Sequence, residues 1–337
     1  PAPQVACCGL KVVAKPEEWM ALVPDDTPSA AYLRQELRLM HASFAQAPLL
    51  GSLLDPARSL KSDLATSSFD TLRDLLGRAL ATERPAMLWG QASELQDDSW
   101  DLAVTAKGLL DAARLLDRRY HLVVTNVPYL ARGKQHPALK EYCEDHYPEA
   151  KSDLANVFLE RCQELAQGSR HGVVQAVMPQ GWLYLSSYKK QRHTLLRSTT
   201  WNLLTRLGSG AFEGIGGEVV SVVLFTLTRG CAIANSSVAM IDASETRSAP
   251  EKARLLRNSP LALATHESFL AAADAIVSFE ASAAGVRTLV GEFAKPGTGM
   301  QTFDLPRFVC QFWEVASFDD IWEYSQSTVE TTRHFGG

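Results

Sequence analysis

The spacing of apolar residues divides the chain into a helical part followed by a part with strands. Apolar residues recur at helical intervals within residues 27–46, 70–82 and 101–117. We therefore predict that residues 14–118 are mostly helical. A short apolar run at residues 4–10 predicts a buried strand ahead of them.

The pattern changes at His121, where an apolar, β-branched run begins and ends at the turn Asn126-Val127-Pro128-Tyr129. Such a run predicts a buried strand that delivers a turn. A helix beginning at Ser152 or Asp153 follows. After it the pattern predicts a strand at residues 172–178, a helix at 184–198, strands at 201–207 and 218–228, and a linker or helical cover from 241 to 273. This order favours an open α/β sheet whose last two strands pair as a hairpin.

The composition is that of a globular protein. The 337 residues include 46% hydrophobic and 21% charged residues, which excludes a disordered or collagen-like chain. No apolar run reaches the roughly 20 residues that a membrane span needs, and the start of the chain lacks a secretion signal, so we expect a cytoplasmic protein. The six cysteines lack paired spacings, which argues against a disulfide framework. A net charge of −5 means that a polyanion would need a local basic surface.

The turn at residues 126–129 offers an amide, a carbonyl and an aromatic ring at the end of a buried strand, where open α/β sheets place ligand chemistry. The amino nitrogen of adenine is a poor nucleophile, so an enzyme that alkylates it must accept hydrogen bonds from its amino hydrogens. The Asn126 side chain and the Val127 carbonyl can accept them, and Tyr129 can stack on an extruded base. The alternative is a structural turn in which Pro128 ends the strand and Tyr129 packs on the core.

Basic and aromatic residues alternate further along, and no acidic residue occurs between Gln180 and Phe212. Such a stretch suits a phosphate backbone or an unstacked strand, although a solvent-exposed helix face is the alternative. Arg132 and Lys134 follow the turn directly. The candidate DNA-binding residues are Arg132, Lys134, Lys189, Lys190 and Arg192, and the same stretch holds Trp182, Tyr184, Tyr188, Arg197 and Arg206.

Other chemistries have little support. Cys143 and His146 form half of a metal site with no second pair nearby, and His171 and His193 are isolated, so we predict no metal. A serine hydrolase would need a Gly-x-Ser-x-Gly turn, which the sequence lacks.

Ordered segments of the chain resemble motifs of N6-adenine DNA methyltransferases, above all the large restriction-modification and BREX-type phage-defence methylases. The segments are VVTNVPYLARGKQ, KSDLANVFLERC, VMPQGWLYLSSYKKQRHTLL and RLGSGAFEGIGGEVVSVVLF, and the resemblance resumes at residues 299–308 and 312–315. It implies the C-terminal part of a Rossmann-like class I methyltransferase sheet, with a helical insertion and the start of a target-recognition region.

The resemblance also implies roles for individual residues. Asn126 corresponds to the catalytic Asn, Val127 to the residue whose carbonyl follows it, and Tyr129 to the base-stacking aromatic. The usual family motif is Asn-Pro-Pro-Tyr, and Val127 stands in place of its first proline. We expect the backbone carbonyl of Val127 still to accept a hydrogen bond, and we expect the turn with Pro128 to be looser. Phe212 corresponds to a second aromatic near the flipped base, unless it is an ordinary core residue.

S-adenosylmethionine is the cofactor that the resemblance implies, but no segment matches its loop of the Asp-Pro-x-x-Gly-x-Gly kind. Asp55-Pro56 begins in a similar way without the glycines, while Gly208–Gly210 and Gly297–Gly299 lie in the wrong context. We therefore expect a fragment whose main cofactor loop lies upstream of Pro1.

The predicted function is transfer of a methyl group from S-adenosylmethionine to N6 of an adenine flipped out of double-stranded DNA, in a restriction-modification or phage-defence system with other subunits. We expect a partial methyltransferase domain at residues 1–242, a linker or helical cover at 243–290, and the start of a target-recognition region at 291–337. A protein glutamine N5-methyltransferase and a catalytically silent DNA-binding or assembly module are the alternatives.

Overall fold

The structure of the chain is a computed structural model. It describes residues 3–9, 12, 15–21, 23–27, 30–59, 108, 111–166, 171–212, 220–230, 236–246, 248–279 and 312–315. Residues 1–281 form one compact unit. Residues 282–337 form a second, of which only a 3-10 turn at Phe312–Glu314 and the residue after it are described.

A mixed sheet lies at the centre of the first unit. Within the described ranges its six strands are β1 (Leu122–Asn126), β2 (Val173–Pro179), β3 (Thr199–Gly208), β4 (Val222–Arg229), β5 (Ser237–Asp242) and β6 (Ala262–Thr265). They are ordered β1-β2-β4-β3-β5-β6. β1 pairs with β2 and β3 with β5 in parallel, whereas β4 runs antiparallel to both β2 and β3. β1, β2, β3 and β5 therefore all end at one edge, which we call the carboxyl edge.

The sequence predicts this sheet in outline, and the α/β fold class is confirmed. The first predicted strand is β1, but it is not buried as expected. It lies at the edge of the sheet, where β2 is its one neighbouring strand among the described residues, and Leu122 and Val124 are 57% and 67% exposed. The predicted hairpin is the antiparallel pair of β3 and β4, although β5 and β6 follow it and it is not formed by the last two strands. Burial alternates along most of β4, where Val223, Phe225 and Leu227 belong to the core while Leu224 and Thr226 between them are only half-buried.

Helices cover the sheet and form the amino-terminal part. They are α1 (Pro16–Ala21), α2 (Ala30–Phe44), α3 (Ala47–Leu50), α4 (Pro56–Ser59), α5 (Pro137–His146), α6 (Leu154–Leu165), α7 (Lys189–Ser198), α8 (Ala249–Asn258) and α9 (His266–Ala271), and residues 111–117 are helical too. α2 confirms the helix predicted at 27–46. The helix predicted at 70–82 lies outside the described residues.

Helix α6 joins two hydrophobic cores. Leu154 and Val157 belong to a core shared with α2 and the other amino-terminal helices, whereas Leu159 and Cys162 belong to the core beneath the sheet. Because both faces of the helix are covered, α6 fixes the amino-terminal helices against the sheet.

A buried arginine strengthens this junction. The guanidinium of Arg161 donates to the Asp55 carboxylate at 3.0 Å and to the carbonyl oxygen of Leu54 at 2.9 Å. Its other acceptors are the carbonyl oxygens of Ser52 and Leu116 and the carboxylate of Glu164. The Asp55-Pro56 pair is thus part of a structural ion-pair cluster.

Two expectations need correction. The apolar run at residues 4–10 is not a buried strand, because residues 3–9 make no strand and Val5 is 85% exposed. Apolar side chains favour a strand only where a neighbouring strand completes its hydrogen bonds, and the described residues supply none here. The helix predicted from residue 184 begins instead at Lys189, because Leu185 has extended backbone angles between two 3-10 turns.

The interval after residue 242 holds more structure than the composition indicates. It contains α8 and α9, which agree with a helical cover, but also the edge strand β6, which the sequence pattern missed. Leu263 of β6 is exposed, so this strand lacks the buried alternation that identifies strands in a sequence. The boundaries of the predicted segments 1–242, 243–290 and 291–337 stay predictions.

Candidate active site at the carboxyl edge of the sheet

The predicted catalytic turn leaves the sheet at the carboxyl edge. Asn126 is the last residue of β1 and pairs in register with Val177 of β2. Its side chain is exposed, as is Pro128, whereas Tyr129 is half-buried. The turn thus presents an amide to solvent at the edge where open α/β sheets bind ligands.

Val127 holds the turn in place by packing into the core. Its side chain is buried in the core beneath the sheet, among residues that include Ala155 and Met178. The residue that replaces the usual proline of the motif therefore has a packing role, and burial holds the backbone on which its carbonyl lies.

Asp153 connects the turn to helix α6. As predicted, it caps the helix, since its carboxylate accepts a hydrogen bond from the amide of Ala155 at 2.9 Å. The carboxylate also lies 3.4 Å from the amide of Leu130, and the amide of Leu154 donates to the carbonyl of Leu130 at 3.0 Å. The residue after Tyr129 is thus fastened to the start of α6.

The phenol of Tyr129 lies in a poor environment for an anion. Burial, assisted by the negative charge of Asp153, raises the pKa of Tyr129 to about 12. The same two causes raise the pKa of Tyr188 to about 12. Tyr129 Oη is buried and has no hydrogen-bond partner among the described residues, so the hydroxyl contributes little to holding the ring.

Phe212 lies beyond β3 at the same edge. Gly208 and Gly210 have positive φ angles of 64° and 69° and turn the chain out of the strand. The Phe212 side chain is exposed rather than part of the core. The topology therefore brings the loops after β1, β2 and β3 to one edge, with Tyr129 and Phe212 in two of them.

The predicted basic residues differ in their surroundings. Lys134 and Lys190 are exposed. The guanidinium of Arg132 pairs with Glu144 at 2.7 Å, and Lys189 pairs with Asp274 at 2.5 Å. Exposed ion pairs of this kind are weak and exchange partners readily.

Arg192 is not a surface residue, and its prediction as a DNA contact is wrong. The side chain is 0% exposed and donates hydrogen bonds to four backbone carbonyl oxygens, those of Trp182, Leu185, Asp274 and Ala275. Helical spacing explains this burial, because Leu195 and Leu196 follow Arg192 by three and four residues on the buried face of α7, and the buried N-cap residue Tyr188 precedes it by four. A long cation is buried only where its donors are satisfied, and here all the acceptors are carbonyls.

Neither a metal site nor a membrane span is found in the part of the chain that the structure describes. No cluster of His, Cys, Asp and Glu there could hold a metal ion. Cys143 is buried, and burial raises the pKa of its thiol to about 11. Within the same residues, every helix is too short or too polar to cross a bilayer.

The described residues do not provide a recognisable S-adenosylmethionine loop. Such a loop leads from a strand into a helix, whose amino-terminal N–H groups face the ligand. Gly208 and Gly210 instead lead into the non-helical residues Ala211 and Phe212. Asp55 is occupied by Arg161, and Gly297–Gly299 lies outside the described residues.

The fold and the turn define the class of protein, an α/β protein with a polar Asn-x-Pro-Tyr turn at the carboxyl edge of a mixed sheet. Residues 39–212, slightly more than half of the chain, match the family described as Eco57I restriction-modification methylase. The chain belongs to this family of methylases, which confirms the methyltransferase resemblance.

Two curated relatives are similar to parts of the chain. Adenine-specific methyltransferase PglX from Lacticaseibacillus casei (strain Zhang) is 34% identical over 167 residues, which are 49% of this chain and 13% of that protein. Adenine-specific methyltransferase BrxX from Escherichia coli O9:H4 (strain HS) is 34% identical over 118 residues, which are 35% of this chain and 10% of that protein. The chain thus spans a small part of the length of either relative.

A solved structure with some likeness is the methyltransferase subunit of a type I restriction-modification system from Streptococcus thermophilus. It is 17% identical, the match covers 48% of this chain and 43% of that one, and the TM-score is 0.33. At that TM-score the likeness adds nothing to what the family and the two relatives show.

Sequence reasoning missed the second contact of Asp153. An N-cap explains an aspartate at the start of a helix by itself, so nothing in the sequence pointed to the amide of Leu130. The available signal was the resemblance, which places the residue in the motif that follows the catalytic turn.

Proposed function

We propose that a protein containing this chain transfers a methyl group from S-adenosylmethionine to N6 of adenine in double-stranded DNA, within a restriction-modification or phage-defence system of the cytoplasm. The observation that carries the proposal is the turn at Asn126–Tyr129, which presents an exposed amide at the carboxyl edge of the sheet. Membership of the methylase family and the names of the two relatives support it.

The two acceptors of the turn suit an amino group. The Asn126 side-chain oxygen and the Val127 carbonyl accept the two N–H groups of adenine N6, and these hydrogen bonds hold the nitrogen and make its lone pair more available. Neither acceptor titrates near neutral pH, so the contribution of the turn is orientation and hydrogen bonding. S-adenosylmethionine supplies the methyl group when it is bound.

The aromatic residues at the edge suit a base that has left the duplex. Tyr129 offers a ring held by packing rather than by its hydroxyl, and Phe212 offers an exposed ring on a neighbouring loop. Stacking on such rings offsets part of the cost of unstacking the adenine.

Lys134 and Lys190 are the exposed cations best placed for the phosphates of the duplex. Arg132 binds a phosphate in place of Glu144, and Lys189 binds one in place of Asp274, since both ion pairs are partly exposed. Other subunits of the defence system are expected partners, as for the family.

The test uses a longer protein from the same gene, incubated with unmethylated plasmid DNA and radiolabelled S-adenosylmethionine. Digestion of the DNA and chromatography of the nucleosides identify the product. The proposal requires label in N6-methyl-2′-deoxyadenosine. Label in cytosine, or no label in DNA, would overturn it.

The same experiment separates the two alternatives. A catalytically silent module binds the plasmid without transferring label. A protein glutamine methyltransferase instead labels glutamine in an added protein and leaves the DNA unlabelled. Neither alternative is favoured by a described contact.

A further inference from the structure

The loop after β2 exposes two large side chains beside the catalytic turn. β2 lies next to β1, and Asn126 pairs in register with Val177, so the loop that starts after Pro179 leaves the sheet beside the turn. Tyr184 is 49% exposed and Leu185 is 48% exposed. The residues around them, Trp182, Leu183 and Tyr188, are buried.

The exposure does not come from a loosely held loop. The Arg192 guanidinium donates to the carbonyl of Trp182 at 2.6 Å and to that of Leu185 at 2.8 Å, and so binds the loop on both sides of Tyr184. The amide of Val277 donates to the carbonyl of Leu183 at 3.0 Å. The backbone of the loop is therefore fixed between α7 and the segment after α9.

That segment also has an unusual backbone. Asp274 and Ala275 have positive φ angles of 55° and 52°, in the left-handed region that residues other than glycine rarely adopt. Their carbonyl oxygens accept the remaining hydrogen bonds of Arg192 at 2.9 Å and 3.1 Å. Such a conformation persists only where surrounding contacts impose it. Arg192 thus ties a constrained segment to the loop that exposes Tyr184.

The charge of the surroundings indicates the kind of partner. No acidic residue occurs from Gln180 to Phe212, and Lys190 is exposed at the start of α7. Lys189, next to it in the sequence, pairs with the partly exposed carboxylate of Asp274. An exposed aromatic ring and an exposed aliphatic side chain in a stretch that carries an exposed cation fit a nucleic acid, whose bases accept apolar contact and whose phosphates accept the cation.

We propose that Tyr184 and Leu185 form a wedge that packs against the bases next to the adenine extruded toward Asn126. The proposal rests on the proposed function, because the turn must receive a base from duplex DNA. The wedge fills space in the stack next to the position that the adenine leaves, and so favours the opened duplex over the closed one.

A crosslinking experiment tests the contact without requiring methylation. The photoreactive residue benzoylphenylalanine replaces Tyr184 in the longer protein, which is irradiated with linear plasmid DNA. Leu263 provides the control position, since it is apolar, 70% exposed and lies on β6 at the outer edge of the sheet. The proposal requires crosslinks from position 184 and none above background from position 263.

A double variant, Tyr184→Ala with Leu185→Ala, tests the role in opening the duplex. Both side chains are half-exposed, and a thermal melt checks that the fold is kept. With 2-aminopurine in place of the target adenine, we expect the fluorescence increase on binding to fall about tenfold, as for loss of stacking on one base. The Leu263→Ala variant is expected to match the unchanged protein.

The outcomes separate the wedge from the proposed function. Methylation of adenine with equal crosslinking at positions 184 and 263, or with an unaltered 2-aminopurine signal, overturns the wedge and leaves the function standing. Crosslinking at position 184 without any methylation overturns the function and supports the DNA contact alone.

Discussion

Two regions of the molecule differ in the environment of their polar groups, which are buried and paired in one and exposed in the other. At the junction of the amino-terminal helices with the sheet, Arg161 is buried and its donors are matched by carboxylates and carbonyls. At the carboxyl edge, the Asn126 side chain is exposed on a backbone that Val127 and Asp153 hold in place. Satisfied groups in the interior stabilise the fold, whereas an open acceptor on a fixed backbone is available for a ligand.

Removing the buried cation is expected to have the largest effect on stability. Arg161→Ala removes the nearer of the two cations that pair with Asp55, which keeps Arg58 at 3.4 Å, and it takes the donor away from several carbonyl oxygens. Breaking a buried ion pair of this kind costs about 3–5 kcal/mol. Denaturant unfolding measures the loss. Arg34→Ala is the control, because its ion pair with Asp25 is partly exposed and is expected to contribute little. Equal losses from the two variants would remove the distinction between the regions.

At the carboxyl edge, Tyr129→Ala is expected to weaken the capture of an extruded base while leaving the fold intact. Loss of stacking on one ring corresponds to about 1–3 kcal/mol. Tyr129→Phe is the matched control. Because Tyr129 Oη has no hydrogen-bond partner among the described residues, the phenylalanine variant is expected to bind and flip the base as the unchanged protein does. Fluorescence of 2-aminopurine at the target position reports both variants, and a loss with Tyr129→Phe would show that the hydroxyl has a role.

Glu160 is a half-buried acid that forms no ion pair with a described residue, and it gives a test by pH. Burial raises the pKa of Glu160 from 4.5 to about 7, while the hydrogen bond from Gln191 lowers it. The folded chain therefore holds the proton more tightly than the unfolded chain does. Stability contributed by the protonated form is lost as the pH rises from 4.5 through 7.

Glu160→Gln keeps the shape without the charge. We expect the variant and the unchanged protein to have similar free energies of unfolding at pH 5, and the variant to be more stable by about 1–3 kcal/mol at pH 8. A difference that is independent of pH would mean that Glu160 does not titrate in this range.

The smallest expected effect comes from the link between the two regions. Asp153→Ala removes the cap of α6 and the contact to Leu130, for a loss of about 0.5–2 kcal/mol in stability. Asp153→Asn keeps an acceptor for the amide of Ala155 and is expected to lose much less. Thermal melts of the two variants measure this, and equal losses would show that the charge rather than the hydrogen bond matters.

The sequence predicted those elements whose secondary structure is determined by a local residue pattern. The β-branched run before Asn126, the cap at Asp153 and the hairpin of β3 and β4 each have a local signal for the element that forms. The same signal did not predict the burial of β1, whose residues Leu122 and Val124 are exposed at the edge of the sheet. The edge strand β6 has no such signal, because it is four residues long and holds no β-branched apolar run.

The candidate site shows the same division. The turn at Asn126 could be placed at a strand end from the sequence alone. Composition does not distinguish Arg192 from Lys190, since both lie in one basic stretch. Helical spacing does, because Tyr188, Leu195 and Leu196 are buried at intervals of three and four residues from the buried Arg192. The constraint on Asp274 and Ala275 depends on a contact between distant segments, which no local pattern encodes.

The most direct test of the central claim is the single-turnover rate of N6-methyladenine formation by the longer protein carrying Asn126→Ala. Asn202→Ala is the matched control, an exposed asparagine on β3 that accepts a hydrogen bond from Thr228. We expect a fall of about 10²–10³-fold for Asn126→Ala, as when one oriented hydrogen-bonding group is lost, with DNA binding and thermal stability unchanged. A rate close to that of the Asn202→Ala control would contradict the assignment of the turn as the methylation site.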